Sequence, residues 1–442
     1  MDRLKNSRPN ILLVMTDQQS ATMMSSAGNP YVSTPAMDHL ALGGVRFERA
    51  YCTIPVCGPA RVSLMTGQMP SMFGFRDNFD CETSSGVGHL IDFRWGEVMR
   101  DAGYEAAYGG KTHLPKGMSP AEMGFDYICA DERDELAATC ARYISTIRDR
   151  PFFLVVSFIN PHDICHMAIE AYLSAQQEAR QEEHRGIELV TLDRALAVPD
   201  GVDEPTFIAE HCPPLPDNFE PQEDEPEAIR GLLEQRPFRK YVREHWTERE
   251  WRRHRWAYCR LTEYADAQVK VLLDALRSSG RADDTVVLFT SDHGDMDGSH
   301  RMEHKTAFYE EAVRVPLIVH PPGAETDSRV DATHLVSTGL DLLPTVCDYA
   351  GIEPPSDIPG RSIRPLVEGS HEGPWRSCLA VESELGRMLV TDRYKYMLFD
   401  EGENREQMFD RLNDPGEMRN CAEHRQTSQA LKKHRGLFRN AF

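Results

Sequence analysis

The segment from Cys57 to Gly67 places a nucleophilic side chain at an anion-binding helix terminus. Pro59 suits the first turn of a helix, where its missing N–H costs nothing, and Gly67 suits the helix end. The free N–H groups and the dipole of a helix N-terminus favour an anion beside Cys57. Arg61, one turn further on, faces the same way, and its guanidinium can bind a tetrahedral oxyanion. A buried free cysteine with a surface arginine is the alternative interpretation of this spacing alone.

Two largely apolar runs, residues 10–16 and 285–290, are each followed by an aspartate. Such runs are typical of strands that are buried on both faces of a parallel sheet. Ligands gather at the carboxyl ends of these strands. Asp17 and Asp292 are therefore the natural oxygen ligands of a divalent cation. A helix cap or turn residue is the alternative for Asp17.

Two further segments carry polar residues after a strand. The sequence Gly110–Thr112 ends like a phosphate-binding P-loop, but Glu105 stands where that motif needs a glycine, so we exclude it. Apolar residues 152–160 predict another buried strand, which leads to His162. A lone histidine after a strand is usually structural, and that alternative stays open for His162.

Three segments together resemble the type I sulfatases of the alkaline phosphatase superfamily. The first is the signature around the cysteine, which matches at Cys57, Pro59, Arg61, Leu64, Thr66 and Gly67. The second is a strand running into Gly-Lys-x-His at residues 110–113, although Thr112 stands where a tryptophan is commoner. The third is the Lys, Tyr-Glu-Glu and Arg-Val-Pro run within residues 305–319. The resemblance extends from residue 10 to about residue 420.

This resemblance implies hydrolysis of sulfate monoesters. A formylglycine-generating or sulfatase-maturing enzyme would oxidise Cys57 to formylglycine, whose hydrated aldehyde attacks sulfur and forms a sulfated enzyme. His113 would deprotonate the remaining hydroxyl so that sulfate is expelled, and His162 or Lys305 would assist the leaving oxygen. The catalytic residues that the resemblance implies are Cys57, Arg61, Lys111, His113, His162 and Lys305, the arginine and the lysines neutralising the sulfate.

The resemblance also implies one divalent cation. Its ligands by family position are Asp17, Gln18, the modified Cys57, Asp292 and His293. Many sulfatases carry a second aspartate at the position of Gln18, and asparagine or glutamine at that of His293, so this set has less anionic charge. Hard oxygen ligands favour Ca²⁺, which we predict, while the imidazole tolerates Mn²⁺.

The predicted fold class is α/β. We expect an alkaline-phosphatase-like large mixed, mostly parallel sheet flanked by helices, with a smaller C-terminal antiparallel sheet. The predicted catalytic domain spans residues 1–370 and the small α+β subdomain residues 371–442. Residues 168–252 are polar and rich in proline, which predicts a long, partly helical insertion over the active-site edge.

Composition restricts the partners and the location. The net charge of −21, with no offsetting Lys/Arg cluster, argues against nucleic acid. No apolar run reaches membrane-spanning length, and no apolar signal region precedes the first strand. The eleven scattered cysteines, without a Cys-x-x-Cys pair, favour reduced thiols in a cytoplasmic protein. A periplasmic or secreted location would require an export signal that has been removed.

We predict a small-molecule or oligosaccharide sulfate ester, a sulfated carbohydrate, as the substrate, with Asn78 and His211 as substrate-binding residues. The insertion supplies polar candidates for contacts with hydroxyl, sulfate or carboxylate groups: His184, Arg185, His211, Asn218, Arg230 and Arg239. Choline sulfate is one alternative. An alternative function is that of a phosphonate monoester or phosphodiester hydrolase, with which Gln18, Asn78 and His293 are compatible. The third is a non-catalytic anion binder with unmodified Cys57.

Overall fold

The structure, a computed structural model, describes residues 8–176, 186–324 and 328–442. The strands are β1 Asn10–Asp17, β2 Val45–Phe47, β3 Ala50–Tyr51, β4 Glu105–Gly110, β5 Asp126–Cys129, β6 Phe152–Pro161, β7 Thr285–Ser291, β8 Leu317–His320, β9 Arg329–Asp331, β10 Val336–Ser337, β11 Cys378–Ser383, β12 Gly386–Thr391, β13 Tyr394–Phe399 and β14 Glu406–Asp410. The helices are α1 Pro35–Gly43, α2 Cys57–Thr66, α3 Asn78–Thr83, α4 Trp95–Asp101, α5 Leu136–Ser145, α6 Cys165–Ala175, α7 Ile187–Ala195, α8 Glu204–Thr206, α9 Glu227–Gln235, α10 Pro237–His245, α11 Glu248–Ser278, α12 Glu310–Val313, α13 Thr338–Ala350, α14 Arg364–Glu368 and α15 Ser428–Ala441.

The main sheet has eight strands in the order β5-β4-β6-β1-β7-β8-β2-β9. Strands β5, β4, β6, β1 and β7 run parallel, whereas β8 is antiparallel to both of its neighbours. In the centre, Leu13 of β1 pairs with Val155 of β6 and with Leu288 of β7. The carboxyl ends of β1, β6 and β7 therefore meet at one edge of the sheet.

Strand β1 is buried on both faces, as its apolar run predicts. Ile11 and Leu13 pack in the core that α2, α4 and α13 cover. Leu12 and Val14 point to the opposite core, which is covered by α1, α5 and α11. This alternation follows from the two-residue period of a strand. The sheet is thus fixed between two layers of helices, and its functional edge cannot shift without disturbing both cores.

The small C-terminal sheet is antiparallel, with the order β11-β12-β13-β14. One face packs on α15 through residues such as Leu389, Leu431 and Phe438. The predicted fold class is confirmed, including this smaller sheet. The analysis of the sequence missed β14 as a strand.

The insertion is more regular than predicted. Most of its described residues belong to α6–α11, and the long helix α11 already begins at Glu248, within the predicted insertion. Thr247 starts it by donating its backbone N–H to the Glu250 carboxylate at 2.9 Å. Two candidate contact residues, His184 and Arg185, lie outside the described residues. Among the described helices, no segment is both long and apolar enough to cross a bilayer.

A buried ion-pair network joins the small sheet to the main domain. Lys395 of β13 has no exposed side-chain surface, and its Nζ contacts Glu310 Oε1 of α12 at 3.2 Å and Glu417 Oε1 at 2.8 Å. Arg411 binds the other oxygen of Glu310 at 2.9 Å. A buried charge without a partner lowers the stability of a protein. The pairing with Lys395 therefore stabilises both carboxylates and links the two parts of the structure.

Replacing Lys395 by Met leaves two buried carboxylates without their shared cation. We expect Lys395→Met to destabilise the link by about 3 kcal/mol, which accelerates opening of the small sheet on the order of a hundredfold. Hydrogen exchange of the amides in β12 and β13 measures this, with the exposed α15 variant Lys432→Met as the control. Equal exchange in the two variants would contradict the prediction.

Candidate active site

Cys57 is the first residue of α2 and is 1% exposed. Its predecessor Val56 has extended backbone angles, and the helix ends at Gly67 with φ +68°. The helix begins two residues before Pro59, so Cys57 belongs to the first turn rather than preceding it. Pro59 is tolerated there because first-turn N–H groups have no helical acceptor. The N–H of Gly58 donates to Asn78 Oδ1 at 3.0 Å, which places Asn78 directly beside the nucleophile.

Arg61 is buried and donates to both aspartates. Its Nε binds Asp292 Oδ2 at 2.9 Å and its Nη2 binds Asp17 Oδ2 at 2.9 Å. Nη1 donates to the Lys111 carbonyl at 3.0 Å and to Ser157 Oγ at 2.8 Å. Four of its five N–H donors are therefore engaged inside the protein. The geometry makes Arg61 the residue that holds the aspartates, whereas the sequence pattern suggested that it neutralises the sulfate.

Three polar side chains surround the Cys57 sulfur. Lys305 Nζ lies 2.7 Å from Sγ, His293 Nε2 lies at 3.1 Å and Asp17 Oδ1 lies at 3.7 Å. Burial and the Asp17 charge oppose ionisation of the thiol. The charges of Lys305, Lys111 and His293 outweigh them, so the pKa of Cys57 is lowered well below its usual range. The surroundings stabilise a negatively charged atom at this position.

Four side chains converge as candidate metal ligands. Their donor atoms all lie within 4.8 Å of one another, and they come from Asp17, Cys57, Asp292 and His293. Burial and the charge of Asp17 raise the pKa of Asp292 to about 6, a repulsion that a cation between the carboxylates would relieve. Carboxylate oxygens with one imidazole suit a divalent cation, so the residues present fit the predicted metal. The cysteine sulfur stands where the oxygens of a formylglycine would lie.

Neighbouring groups orient two of the candidate ligands, His293 and Gln18. His293 Nδ1 lies 2.9 Å from the Gly294 carbonyl, which directs Nε2 toward the cluster. Gln18 Oε1 accepts a hydrogen bond from Lys305 Nζ at 2.9 Å. Gln18 Nε2 donates to Asp295 Oδ2 at 2.6 Å, which fixes the direction of the amide. The Gln18 oxygen therefore faces the same centre as the Cys57 sulfur.

The remaining predicted catalytic residues lie at the same edge of the sheet, but their contacts differ. Lys111 Nζ binds Asp17 Oδ2 at 2.7 Å. His162 follows β6, and its Nδ1 is buried without a hydrogen-bond partner. Burial and the Lys111 charge lower the pKa of His162 well below its usual range, so its ring is neutral. His113 Nε2 lies 3.4 Å from Glu82 Oε1, and its described contacts do not include the sulfur of Cys57.

The predicted substrate-binding residue His211 lies in an aromatic cluster. Its ring centroid is 6.4 Å from those of Phe207 and Trp256. None of its described contacts joins it to the residues around Cys57. Of the other insertion candidates, Asn218 binds Glu311 Oε1 at 2.9 Å and is structural. Of the candidates that the structure describes, Arg239 contacts a site residue, through the Lys305 carbonyl at 3.0 Å.

Three supporting residues were missed by the sequence analysis. Ser157 accepts from Arg61, Asp295 from Gln18, and Tyr258 of α11 donates its hydroxyl to the Gln18 carbonyl at 2.6 Å. A serine inside the apolar run of β6 is a signal that could have been used. No sequence signal could have identified Tyr258, because only the tertiary fold brings α11 next to Gln18.

A cavity of about 510 Å³ lies between α9 and the turns of the small sheet. Its lining is acidic, with Glu227, Glu384, Asp400 and Glu401. None of the residues around Cys57 lines it. The chemistry of the nucleophile is thus set by a separate, largely buried cluster.

Comparison with known proteins gives consistent matches over the whole chain. Residues 9–352 match the family model described as Sulfatase, and residues 298–439 match that of the N-sulphoglucosamine sulphohydrolase C-terminal region. The Delta 4,5-hexuronate-2-O-sulfatase of Bacteroides thetaiotaomicron is 29% identical, over 97% of this chain and 88% of that protein. The choline-sulfatase of Rhizobium meliloti is 28% identical, over 95% and 83%. The solved structure of a 2-O GAG sulfatase superposes with a TM-score of 0.80 at 27% identity, over 98% and 92%.

Loss of the Arg61 guanidinium leaves two buried carboxylates side by side. We expect Arg61→Met to lower the free energy of unfolding by about 3–5 kcal/mol. Arg61→Lys keeps the charge but cannot bind both carboxylates at once, so its loss should be smaller. Urea denaturation tests this against Arg142→Met on the surface of α5, which should change stability by less than about 0.5 kcal/mol. If Arg61→Met lowers the free energy of unfolding as little as the control does, the ion pairs of the Arg61 guanidinium are not stabilising.

The candidate metal site predicts a loss of bound cation when one ligand charge is removed. Asp292→Asn keeps the size of the side chain but removes its negative charge, so we expect the divalent metal content to fall from about one ion per chain to a small fraction. Elemental analysis after dialysis measures the content, with Asp297→Asn as the acidic control outside the cluster. Unchanged metal content in Asp292→Asn would contradict the assignment.

Proposed function

Because the chain belongs to the sulfatase family, we propose that it removes sulfate from a sulfated carbohydrate with a nucleophile made from Cys57. The family resemblance expected from the sequence is confirmed, and the protein is a sulfuric ester hydrolase. The observation that carries the proposal is the contact of Cys57 Sγ with Lys305 and His293 beside two carboxylates held by Arg61. The resemblance implies that oxidation of Cys57 to formylglycine produces the attacking hydroxyl.

The positive charge needed by a sulfate ester comes from Lys305 and Lys111. Lys305 Nζ contacts the nucleophile position, and Lys111 Nζ contacts Asp17 beside it. Burial opposes the charge of Lys305, but the nearby thiolate and Asp17 raise its pKa, which keeps it an ammonium. A preorganised cation at the point where negative charge accumulates is a large source of catalysis. Lys305 is also placed to donate its proton to the leaving oxygen.

The metal ligands in this proposal are Asp17, Gln18, Asp292 and His293, together with position 57. A divalent cation held there, which we propose to be Ca²⁺ with Mn²⁺ as the alternative, would polarise the sulfate and acidify the nucleophile. Arg61 contributes by keeping one oxygen of each aspartate turned away from the guanidinium and toward this centre. His162, whose buried Nδ1 has no described partner, can hydrogen-bond the leaving oxygen while Lys305 donates the proton. The role of His113 as a base stays a prediction.

The carbohydrate substrate is supported by the relatives and by the charge of the site. One relative is named for a sulfated hexuronate, and another for choline sulfate. The cationic side chains near the nucleophile suit an anionic sugar better than a quaternary ammonium, which they would repel. A maturing enzyme as partner and a cytoplasmic location remain predictions of the sequence.

The test starts from protein produced together with a sulfatase-maturing enzyme. We expect mass spectrometry of the peptide around residue 57 to show the aldehyde, and we expect hydrolysis of mono-sulfated sugars and of 4-nitrophenyl sulfate. Cys57→Ala should abolish turnover because it removes the nucleophile, while its unfolding transition stays close to that of the parent protein. Choline sulfate and 4-nitrophenyl phenylphosphonate are the competing substrates.

Two results would decide against the proposal. Full activity with only a free thiol at Cys57 would refute the nucleophile. A kcat/KM for choline sulfate or the phosphonate that exceeds every sugar sulfate by orders of magnitude would refute the carbohydrate substrate.

A further inference from the structure

Arg239 of α10 is a buried cation without an anionic partner. The residue is only 6% exposed. Nη1 donates to the Lys305 carbonyl at 3.0 Å, while Nε is buried and has no hydrogen-bond partner. Among the residues that the structure describes, no carboxylate forms an ion pair with this guanidinium. Buried arginines are normally paired, because an uncompensated charge in the interior is costly.

Neighbouring arginines show the usual arrangement. Arg243, one turn later on the same helix, binds Glu225 at 2.8 Å. Arg236, just before the helix, lies 3.7 Å from Glu384. Arg239 keeps its charge at neutral pH, since burial lowers its pKa only to about 10. Its unpaired state is therefore a local property of this side chain and not of the helix.

The position of Arg239 connects it to the nucleophile. It binds the backbone of Lys305, whose Nζ contacts Cys57 Sγ, so one lysine side chain separates the guanidinium from the reacting atom. The adjacent Phe238 ring packs against His304, 5.1 Å between centroids, which fixes the start of α10 to the same segment. The unpaired guanidinium therefore belongs to the immediate surroundings of the lysine that contacts the nucleophile.

We infer that Arg239 binds a second anionic group, a carboxylate or another sulfate, on the same substrate whose sulfate ester is hydrolysed at position 57. This inference rests on the proposed function and narrows its substrate to sulfated uronates or multiply sulfated sugars. The oxygens of such a group accept from Nε, which supplies the missing partner. A neutral mono-sulfated sugar leaves the guanidinium buried and unpaired, and choline sulfate places a second cation near it.

Matched substrate pairs test the inference. The first pair is a 2-sulfated hexuronate and its methyl ester, which differ in the carboxylate charge. The second pair is N-sulfoglucosamine 6-sulfate and N-acetylglucosamine 6-sulfate, which differ in the second sulfate. We expect kcat/KM for the charged member of at least one pair to exceed that of its neutral counterpart by about tenfold or more. A difference within the first pair identifies the bound anion as a carboxylate, and a difference within the second pair identifies it as a sulfate.

The variants then assign this preference to Arg239. Arg239→Gln should reduce the ratio to within about threefold, chiefly through KM, and Arg239→Lys should restore part of it. Lys240→Gln is the control, because it removes a more exposed charge from the same helix, where Lys240 pairs with Glu234 at 2.6 Å. It should leave the ratio unchanged.

Three results would overturn the inference. The first is a parent protein that does not distinguish the members of either pair. The second is an equal fall of kcat/KM on all substrates in Arg239→Gln and Arg239→Lys, with a lowered unfolding midpoint, which would make Arg239 a support for the Lys305 backbone. The third is a matured protein that hydrolyses no sulfate ester, 4-nitrophenyl sulfate included, which would refute the proposed function as well.

Discussion

The ion pairs of Arg61 with Asp17 and Asp292 are the constraint on which the site depends. Both carboxylates are buried at the ends of neighbouring strands, where their mutual repulsion would be large without a cation between them. The guanidinium reaches both only because α2 lies against the carboxyl edge of β1 and β7. Cys57 is one helical turn before Arg61, so the same docking places the sulfur next to the carboxylates. Nucleophile, ligands and helix position are therefore a single geometric unit.

Charge is distributed very unevenly in this protein. The chain carries a net charge of −21, yet the residues that face the nucleophile include two lysines, and a buried arginine lies behind one of them. An acidic exterior repels anions at long range, so an anionic substrate must gain its affinity from short-range contacts inside the site. Such a site favours selective recognition over rapid non-specific capture.

Local sequence was sufficient to predict the structure of a segment where both of its faces have the same environment. The runs of β1, β6 and β7 are largely apolar because both faces are buried, and the residues that follow them were predicted to lie together. The prediction was incomplete where the environment is mixed: the insertion was expected to be partly helical, and its individual helices were not predicted. The helices of the insertion are polar on one face, and one of them, α10, begins at a proline, Pro237. The partners of Arg61 and the isolation of Arg239 depend on residues distant in sequence, which no local pattern encodes.

Burial of Cys57 would also set an order of events for the oxidation proposed above. In the folded chain its sulfur is covered by Asp17, His293 and Lys305, and the last two come from segments made more than two hundred residues later. An enzyme that oxidises Cys57 would need access to a residue that is only 1% exposed at the start of α2 in the folded chain. The proposed modification would therefore have to occur before residues 293–305 have folded over residue 57. Rapid folding in the absence of the modifying enzyme would trap the chain permanently as the thiol.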